Sequence, residues 1–171
     1  DSPAKIDKAL GSGADALLLD LEDSVSLAEK HTARRLVAGQ LTALSGRHDT
    51  PRLYVRINAL DSGMADDDLD AVIKAKPYGI MLPKSAGPES VQQLAAELYE
   101  LEGRAGVPTG STKILPLVSE TAAAAITIPA YATAPLPRLA GLTWGAEDLS
   151  AAIAARCGVR IRFSIDRKSV V

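Results

Sequence analysis

Short apolar runs alternate with longer stretches of helical spacing along most of the chain. The first clear run covers residues 16–19 and ends abruptly at Asp20, Glu22 and Asp23. Uninterrupted apolar runs of this length, bounded by turn-forming residues, are typical of strands buried on both faces of a parallel sheet. Because carboxylates are costly to bury unpaired, three of them at one strand end indicate a use other than folding.

This alternation predicts an α/β fold built from about five strand–helix units. The predicted strands cover residues 16–19, 52–57, 78–82, 112–118 and 139–143. The predicted helices cover residues 4–10, 30–44, 90–101 and 149–155, and two more begin at 63–68 and 122–125. Strand starts lie about 26–36 residues apart, which is the spacing that consecutive βα units require.

The chain shows no linker before its last residues, so we expect one domain over residues 1–156. The remaining residues, 157–171, form a tail of different character. Within this tail, residues 159–165 alternate apolar and polar positions with a period of two, as in a half-exposed strand. The tail is therefore predicted to be separate from the regular βα units.

Composition narrows the class of protein. The 171 residues are 47% hydrophobic and 23% charged, as in ordinary globular domains. A net charge of −2 and 4% aromatic residues argue against nucleic acid and membrane partners. The single cysteine excludes an intrachain disulfide framework and fits the reducing cytoplasm. We therefore expect a cytoplasmic domain that binds small molecules.

Charged and polar residues cluster where the predicted strands end, which is where active sites of β/α folds lie. These residues are Asp20, Glu22, Asp23, Arg56, Asn58, Lys84, Glu120, Glu147 and Asp148. Carboxylate ligands favour Mg²⁺ or Mn²⁺ over zinc, and an arginine offers a planar fork to a carboxylate or an enolate oxygen. The strand ends carry no histidine, cysteine or G-x-S-x-G serine, which argues against acyl-enzyme chemistry.

Simpler explanations stay open for several of these residues. Any single acid can be a helix cap or an ion-pair partner, and Asp20 is the first candidate for such a structural role. Lys84 can pair with Glu22 or form a Schiff base, although surrounding acids disfavour the second. The acids at 66–70 are better explained by the dipole of a helix N-terminus than by a metal.

Five ordered motifs resemble the HpcH/HpaI aldolase and citrate lyase β-subunit superfamily, closest to its citrate lyase β-subunit-like and malyl-CoA lyase branch. The motifs are GADALLLDLEDSV at 13–25, VRIN at 55–58, MLPK at 81–84, LVSET at 117–121 and WGAEDL at 144–149. The resemblance implies a TIM (β/α)8-barrel fold. It also implies cleavage or formation of a carbon–carbon bond between a thioester enolate and an oxo acid.

The resemblance further implies roles for individual residues. Glu120 and Asp148 are expected to hold Mg²⁺, with Mn²⁺ as a substitute. Arg56 is expected to bind the substrate and steady the enolate oxygen, while Glu22 and Asp23 support the arginine and the water around the metal. Additional substrate contacts are expected from Asn58 and Lys84.

The Leu-Glu-Asp triplet at 21–23 lacks the histidine of the pyruvate aldolases, which implies acyl-CoA substrates such as citryl-, malyl- or citramalyl-CoA, or an acyl-carrier thioester.

A complete barrel has eight strands and about 250 residues, so five predicted units imply an incomplete barrel. Exposed sheet edges would favour association, and we expect a homo-oligomer. Two alternatives to an active lyase follow. One is an inactive fragment or pseudoenzyme that binds metal or a dicarboxylate. The other is an assembly module that uses its sheet edges.

Overall fold

A computed structural model of the protein describes residues 3–47 and 50–157. Four parallel strands form one sheet in the order β1-β2-β3-β4. They are β1 (Ala16–Asp20), β2 (Arg52–Arg56), β3 (Gly79–Leu82) and β4 (Lys113–Pro116). All three neighbouring pairs are parallel, so the carboxyl ends of the strands meet at one edge. The predicted parallel α/β architecture is confirmed.

Helices connect the strands in the predicted alternation. They are α1 (Pro3–Leu10), α2 (Lys30–Leu44), α3 (Ala65–Val72), α4 (Pro88–Ala105), α5 (Ala122–Thr127) and α6 (Ala146–Cys157). Short 3-10 turns cover Leu27–Glu29, Leu60–Ser62, Ile73–Ala75 and Ile128–Ala132. None of the helices in the described ranges has the length and apolarity needed to cross a bilayer.

Helix α4 illustrates how local sequence sets these elements. Pro88 occupies its first position, where a missing N–H costs nothing. Gly106 ends it with a φ of 65°, a left-handed conformation that glycine adopts freely. Between them Leu94 and Leu98 recur at helical spacing and are fully buried. The helix therefore packs one apolar stripe on the sheet.

The core lies between the sheet and the helices. Strand residues Val55, Ile80 and Ile114 are fully buried, as are Leu69 of α3 and Leu94 of α4. Burial of successive strand positions explains why the strands read as continuous apolar runs.

The fifth predicted strand, at 139–143, is present only as an interrupted ladder. It lies parallel to β4 and joins it through two separate bridges, Ile114 to Leu139 and Leu117 to Thr143. Pro116 stands between the bridges and has no N–H to donate, so the pairing slips by one residue. The Thr143 N–H then donates to the Pro116 carbonyl at 3.0 Å. The prediction of a continuous fifth strand is wrong, although its position beside β4 is right.

The strand predicted at 159–165 lies outside the described residues. The domain boundary at 156–157 therefore stays a prediction.

Candidate active site

Arg56 lies at the carboxyl end of β2, directly opposite Asp20 at the end of β1. Its Nε donates to Asp20 Oδ1 at 2.8 Å and its Nη2 donates to Asp20 Oδ2 at 2.5 Å. Its Nη1 lies 3.0 Å from Glu22 Oε2. Two acids thus hold the guanidinium, one of them in the two-pronged geometry that suits its planar fork.

The same contacts fix the charges of the pair. Burial would raise the pKa of Asp20, but hydrogen bonds from Arg56, from Ser24 and from the Glu22 backbone outweigh it and lower the pKa to about 2. The hydrogen bond with Asp20 raises the pKa of Arg56 further, against the effect of burial. Both groups are therefore fully charged at neutral pH.

Glu22 is a buried carboxylate with acceptor capacity left over. The residue is 4% exposed, and Oε1 lies 3.2 Å from the ammonium of Lys84. Neither carboxylate oxygen receives an aligned hydrogen bond from any residue that the structure describes, although Arg56 and Lys84 are close. Unsatisfied buried acceptors are costly, so this carboxylate is suited to receive hydrogen bonds from bound water or a ligand.

Lys84 joins two of the acids through an uncommon backbone conformation. Its φ of 52° lies in the left-handed region, which is sparsely populated by residues other than glycine. From there its backbone N–H donates to the Glu120 carboxylate, while its side chain reaches Glu22. Contact with Glu22 raises the pKa of Lys84. A charged lysine paired with an acid favours the ion-pair interpretation over a Schiff base.

Glu120 and Asp148 approach each other across Gly145. A Cβ atom added to Gly145 would lie 2.8 Å from Asp148 Oδ2 and 3.3 Å from Glu120 Cγ, so the glycine leaves room for both acids. Burial raises the pKa of Glu120, and the charges of Glu22 and Asp148 add to this, against the Lys84 backbone N–H. Carboxylates that repel one another in this way gain from a bound cation.

The donor set matches the needs of a hard cation. In the described parts of the chain, no group of three or more His, Cys, Asp or Glu side chains is arranged to hold a metal by itself. Mg²⁺ needs no such cage, since it binds one or two carboxylates and completes its shell with water and substrate oxygens. Glu120 and Asp148 are the pair that could hold it.

The two remaining predicted site residues, Asp23 and Asn58, differ in their exposure to solvent. Asp23 is exposed, and its charge contributes to the raised pKa of Arg56 and Lys84. Asn58 is 3% exposed and is not brought to the cluster. Its amide group instead lies beneath the turn after β1, donating to the Leu21 carbonyl at 3.1 Å.

Two residues that the sequence reasoning did not assign to the site lie in contact with Asn58. Lys30 donates to its side-chain oxygen at 2.8 Å, and Asp68 accepts from its amide nitrogen at 2.6 Å. Helical spacing could have indicated that Lys30 is buried, because it lies on the same stripe of α2 as the buried Val37 and Leu41.

The sequence model of the HpcH/HpaI aldolase/citrate lyase family matches residues 1–157. The parallel α/β fold and the strand-end cluster of acids around an arginine agree with that match. The chain belongs to the HpcH/HpaI aldolase/citrate lyase family, and the resemblance seen in its motifs is confirmed.

Two curated relatives illustrate the range of the family. The citrate lyase subunit beta of Escherichia coli K12 is 38% identical over 138 residues, which cover 79% of this chain and 43% of the relative. A (3S)-malyl-CoA thioesterase of Cereibacter sphaeroides is 31% identical over 151 residues, covering 88% and 47%. The chain thus spans about half the length of the curated relatives it matches.

A solved relative shares the fold. The protein CitE of Mycobacterium tuberculosis, in complex with magnesium and acetoacetate, superposes with a TM-score of 0.62 at 33% identity. The match covers 89% of this chain and 53% of that structure. The fold is thus of the TIM-barrel type, and the predicted fold class is confirmed.

Proposed function

We propose that the protein is a Mg²⁺-dependent carbon–carbon lyase. Its substrate is a 3-hydroxyacyl-CoA thioester of the citryl-, malyl- or citramalyl-CoA type. The products are acetyl-CoA or a related acyl-CoA and an oxo acid. The observation that carries this proposal is the Arg56 fork, held by Asp20 and Glu22, in the same cluster as Glu120.

The reaction places negative charge where an arginine can stabilise it. The 3-hydroxyl group loses its proton, the bond between C2 and C3 breaks, and C3 becomes the carbonyl carbon of the oxo acid. The electron pair of the broken bond passes to the thioester as an enolate, which is then protonated at C2. Donors fixed in advance around the enolate oxygen lower the barrier to this step.

Arg56 retains donors for that purpose. Of the five N–H groups of a guanidinium, two donate to Asp20, and Nη1 lies 3.0 Å from Glu22 Oε2 without an aligned hydrogen bond, so among the described residues N–H groups on Nη1 and Nη2 remain for a ligand. The ion pairs hold the plane of the group, so the remaining N–H groups have a fixed direction before the substrate binds. Such pre-set donors suit an oxygen that gains charge during the reaction.

Glu120 and Asp148, which approach each other across Gly145, would hold the cation. The magnesium complex of the related CitE protein supports the choice of Mg²⁺ as that cation. When bound, the cation supplies Lewis-acid stabilisation of the oxo-acid oxygens. The two buried oxygens of Glu22 would accept hydrogen bonds from water around the cation. Lys84, whose side chain is 53% exposed, is proposed as a contact for an anionic group of the substrate.

Product analysis tests the proposal. The full chain is incubated with Mg²⁺ and citryl-, malyl- or citramalyl-CoA, and the thioester and acid products are quantified by mass spectrometry. We expect an acyl-CoA and an oxo acid in equal amounts, lost on chelation of the metal and in Glu120→Ala. The control is Glu100→Ala, because Glu100 is an exposed acid on α4, and it should retain activity.

Two outcomes would contradict the proposal. Release of free CoA and an intact hydroxy acid would indicate thioester hydrolysis, the activity in the name of the Cereibacter sphaeroides relative. Binding of Mn²⁺ and oxaloacetate in calorimetry, without turnover of any of the three thioesters, would indicate an inert binding protein.

We further propose a homo-oligomer in the cytoplasm. Strand β1 is at one end of the sheet order, and Leu18 on it is 44% exposed, which favours association along this edge. Sedimentation velocity over a range of concentrations measures the oligomeric state.

A further inference from the structure

Lys30 is a buried lysine with an unusual set of partners. It is the first residue of α2 and is 8% exposed. Its Nζ donates to the carbonyl oxygens of Leu21 at 2.6 Å and Glu22 at 2.7 Å, and to Asn58 Oδ1 at 2.8 Å. An ammonium group has three N–H donors, so all three are used, and each partner is a neutral oxygen.

One partner of Lys30, Asn58, is itself held from a second side by Asp68. Asp68 Oδ2 accepts from the Asn58 side-chain nitrogen at 2.6 Å and from its backbone N–H at 2.7 Å. Arg34 Nε donates to Asp68 Oδ1 at 2.7 Å. This chain of contacts links α2, α3 and the end of β2, so Lys30 binds to a fixed frame.

Asp20 and Lys30 both bind the backbone of the turn after β1, Asp20 at its N–H groups and Lys30 at its carbonyl groups. Asp20 accepts from the backbone N–H groups of Glu22 at 2.9 Å and Ser24 at 3.3 Å. Lys30 binds the carbonyl groups of Leu21 and Glu22. With its backbone held at both the N–H and the C=O, Glu22 extends its side chain toward the guanidinium.

We propose that Lys30 is a positioning residue for Glu22 and, through Glu22, for Arg56. It sets the path of the turn from beneath and does not touch the substrate. A merely structural lysine would stabilise the fold without affecting the guanidinium. The kcat measurement described below assumes the proposed lyase activity, whereas the measurement on the Arg56 signal does not.

The direct test observes Arg56 without any need for turnover. The ¹⁵N–¹H signal of the Arg56 Nε–H is assigned by its loss in Arg56→Lys, and its hydrogen exchange rate is then measured in Lys30→Met. We expect a shifted signal and exchange on the order of tenfold faster, because the Nε–H donates to Asp20, and the Asp20 carboxylate is held by backbone N–H groups of the turn that Lys30 fixes. Lys30→Gln keeps two donors and should lie between Lys30→Met and the wild type.

The matched control removes another buried cation at the opposite end of the sheet. Arg138 donates to Glu102 Oε1 at 2.9 Å and Oε2 at 2.8 Å, so Arg138→Met should lower stability and leave the Arg56 signal in place. The proposal is overturned by an unchanged Arg56 signal in the Lys30 variants, or by an equal change in Arg138→Met. If Lys30→Met does not fold, Lys30→Gln decides by the same criteria.

Turnover supplies an independent measurement. We expect kcat per folded molecule of the Lys30 variants to fall on the order of 10- to 100-fold, with KM within about threefold. Unchanged kcat would contradict the positioning role. If the wild type has no lyase activity, the proposed function fails, while the Arg56 signal still decides the role of Lys30.

Discussion

At the scale of single side chains, the shape of Arg56 matters as much as its charge. Asp20 occupies one edge of its planar group, and Glu22 lies against Nη1. A lysine at this position would carry the same charge, but as one ammonium on a flexible stem it could not span both acids and still offer two directed donors.

Arg56→Lys should therefore lower kcat/KM on the order of 100-fold or more, as expected for loss of a directed donor. The measurement is the initial rate of acyl-CoA release at saturating Mg²⁺. Arg52→Lys is the control, since Arg52 starts the same strand and lies over the ring of Tyr78, 5.0 Å from its centroid. Near-normal turnover by Arg56→Lys would show that only the charge is needed.

Sequence reasoning reached part of this site. It placed Arg56, Glu22 and Lys84 at strand ends, and the structure brings them together because parallel strands end at one edge. It also assigned Asn58 to the substrate. That residue turns beneath the cluster because its partner Asp68 comes from α3, a contact that strand periodicity does not reveal.

At the scale of elements, the segment beside β4 shows what an apolar pattern leaves out. Hydrophobicity placed residues 139–143 correctly next to β4, but a ladder also needs a donor at each step. Pro116 lacks one, and the pairing slips by a residue before Gly145 is reached. Burial patterns report where a strand packs, whereas hydrogen-bond partners decide whether its ladder is continuous.

At the scale of elements, Gly145 leads to a prediction about metal binding. A side chain there would meet Asp148 Oδ2 at 2.8 Å, so Gly145→Ala should displace that acid and weaken Mn²⁺ binding on the order of tenfold or more. Calorimetry with Mn²⁺ and oxaloacetate measures the change. Gly39→Ala is the control, because a Cβ at Gly39 in α2 meets nothing within 4 Å. It should leave binding intact and raise stability by up to about 1 kcal/mol.

Equal Mn²⁺ affinity of Gly145→Ala and the wild type would contradict the assignment of Asp148 as a ligand.

At the scale of the whole molecule, the carboxyl ends and the amino ends of the strands have different roles. The carboxyl ends gather the candidate site, and the amino end of β4 is fastened by the fully buried Glu102 of α4. This carboxylate accepts from the backbone N–H groups of Gly110 at 2.7 Å and Thr112 at 2.9 Å and from the guanidinium of Arg138. Burial raises its pKa, but these partners outweigh burial and lower the pKa to about 2.

Glu102 therefore makes the free energy of unfolding depend on pH in the acidic range. Its folded pKa of about 2 lies below the ordinary value of 4.5, so its contribution is complete above pH 4.5 and is lost as the pH falls toward 2. A shift of this size corresponds to about 3 kcal/mol. Urea unfolding between pH 7 and pH 2.5 should show Glu102→Gln less stable at neutral pH and with a shallower acid dependence.

The exposed Glu100 on the same helix supplies the control, and Glu100→Gln should follow the wild type at every pH. An acid dependence of Glu102→Gln as steep as that of the wild type would assign the acid sensitivity to other carboxylates.

The ion pairs of Arg56 also have a consequence for entropy. A free arginine side chain carries about 2 kcal/mol of rotamer entropy, which a ligand would have to remove on binding. Here Asp20 and Glu22 have already restricted those torsions when the chain folds. The loss of side-chain freedom therefore belongs to the free energy of folding, and an incoming anion meets an arginine that has little disorder left to lose.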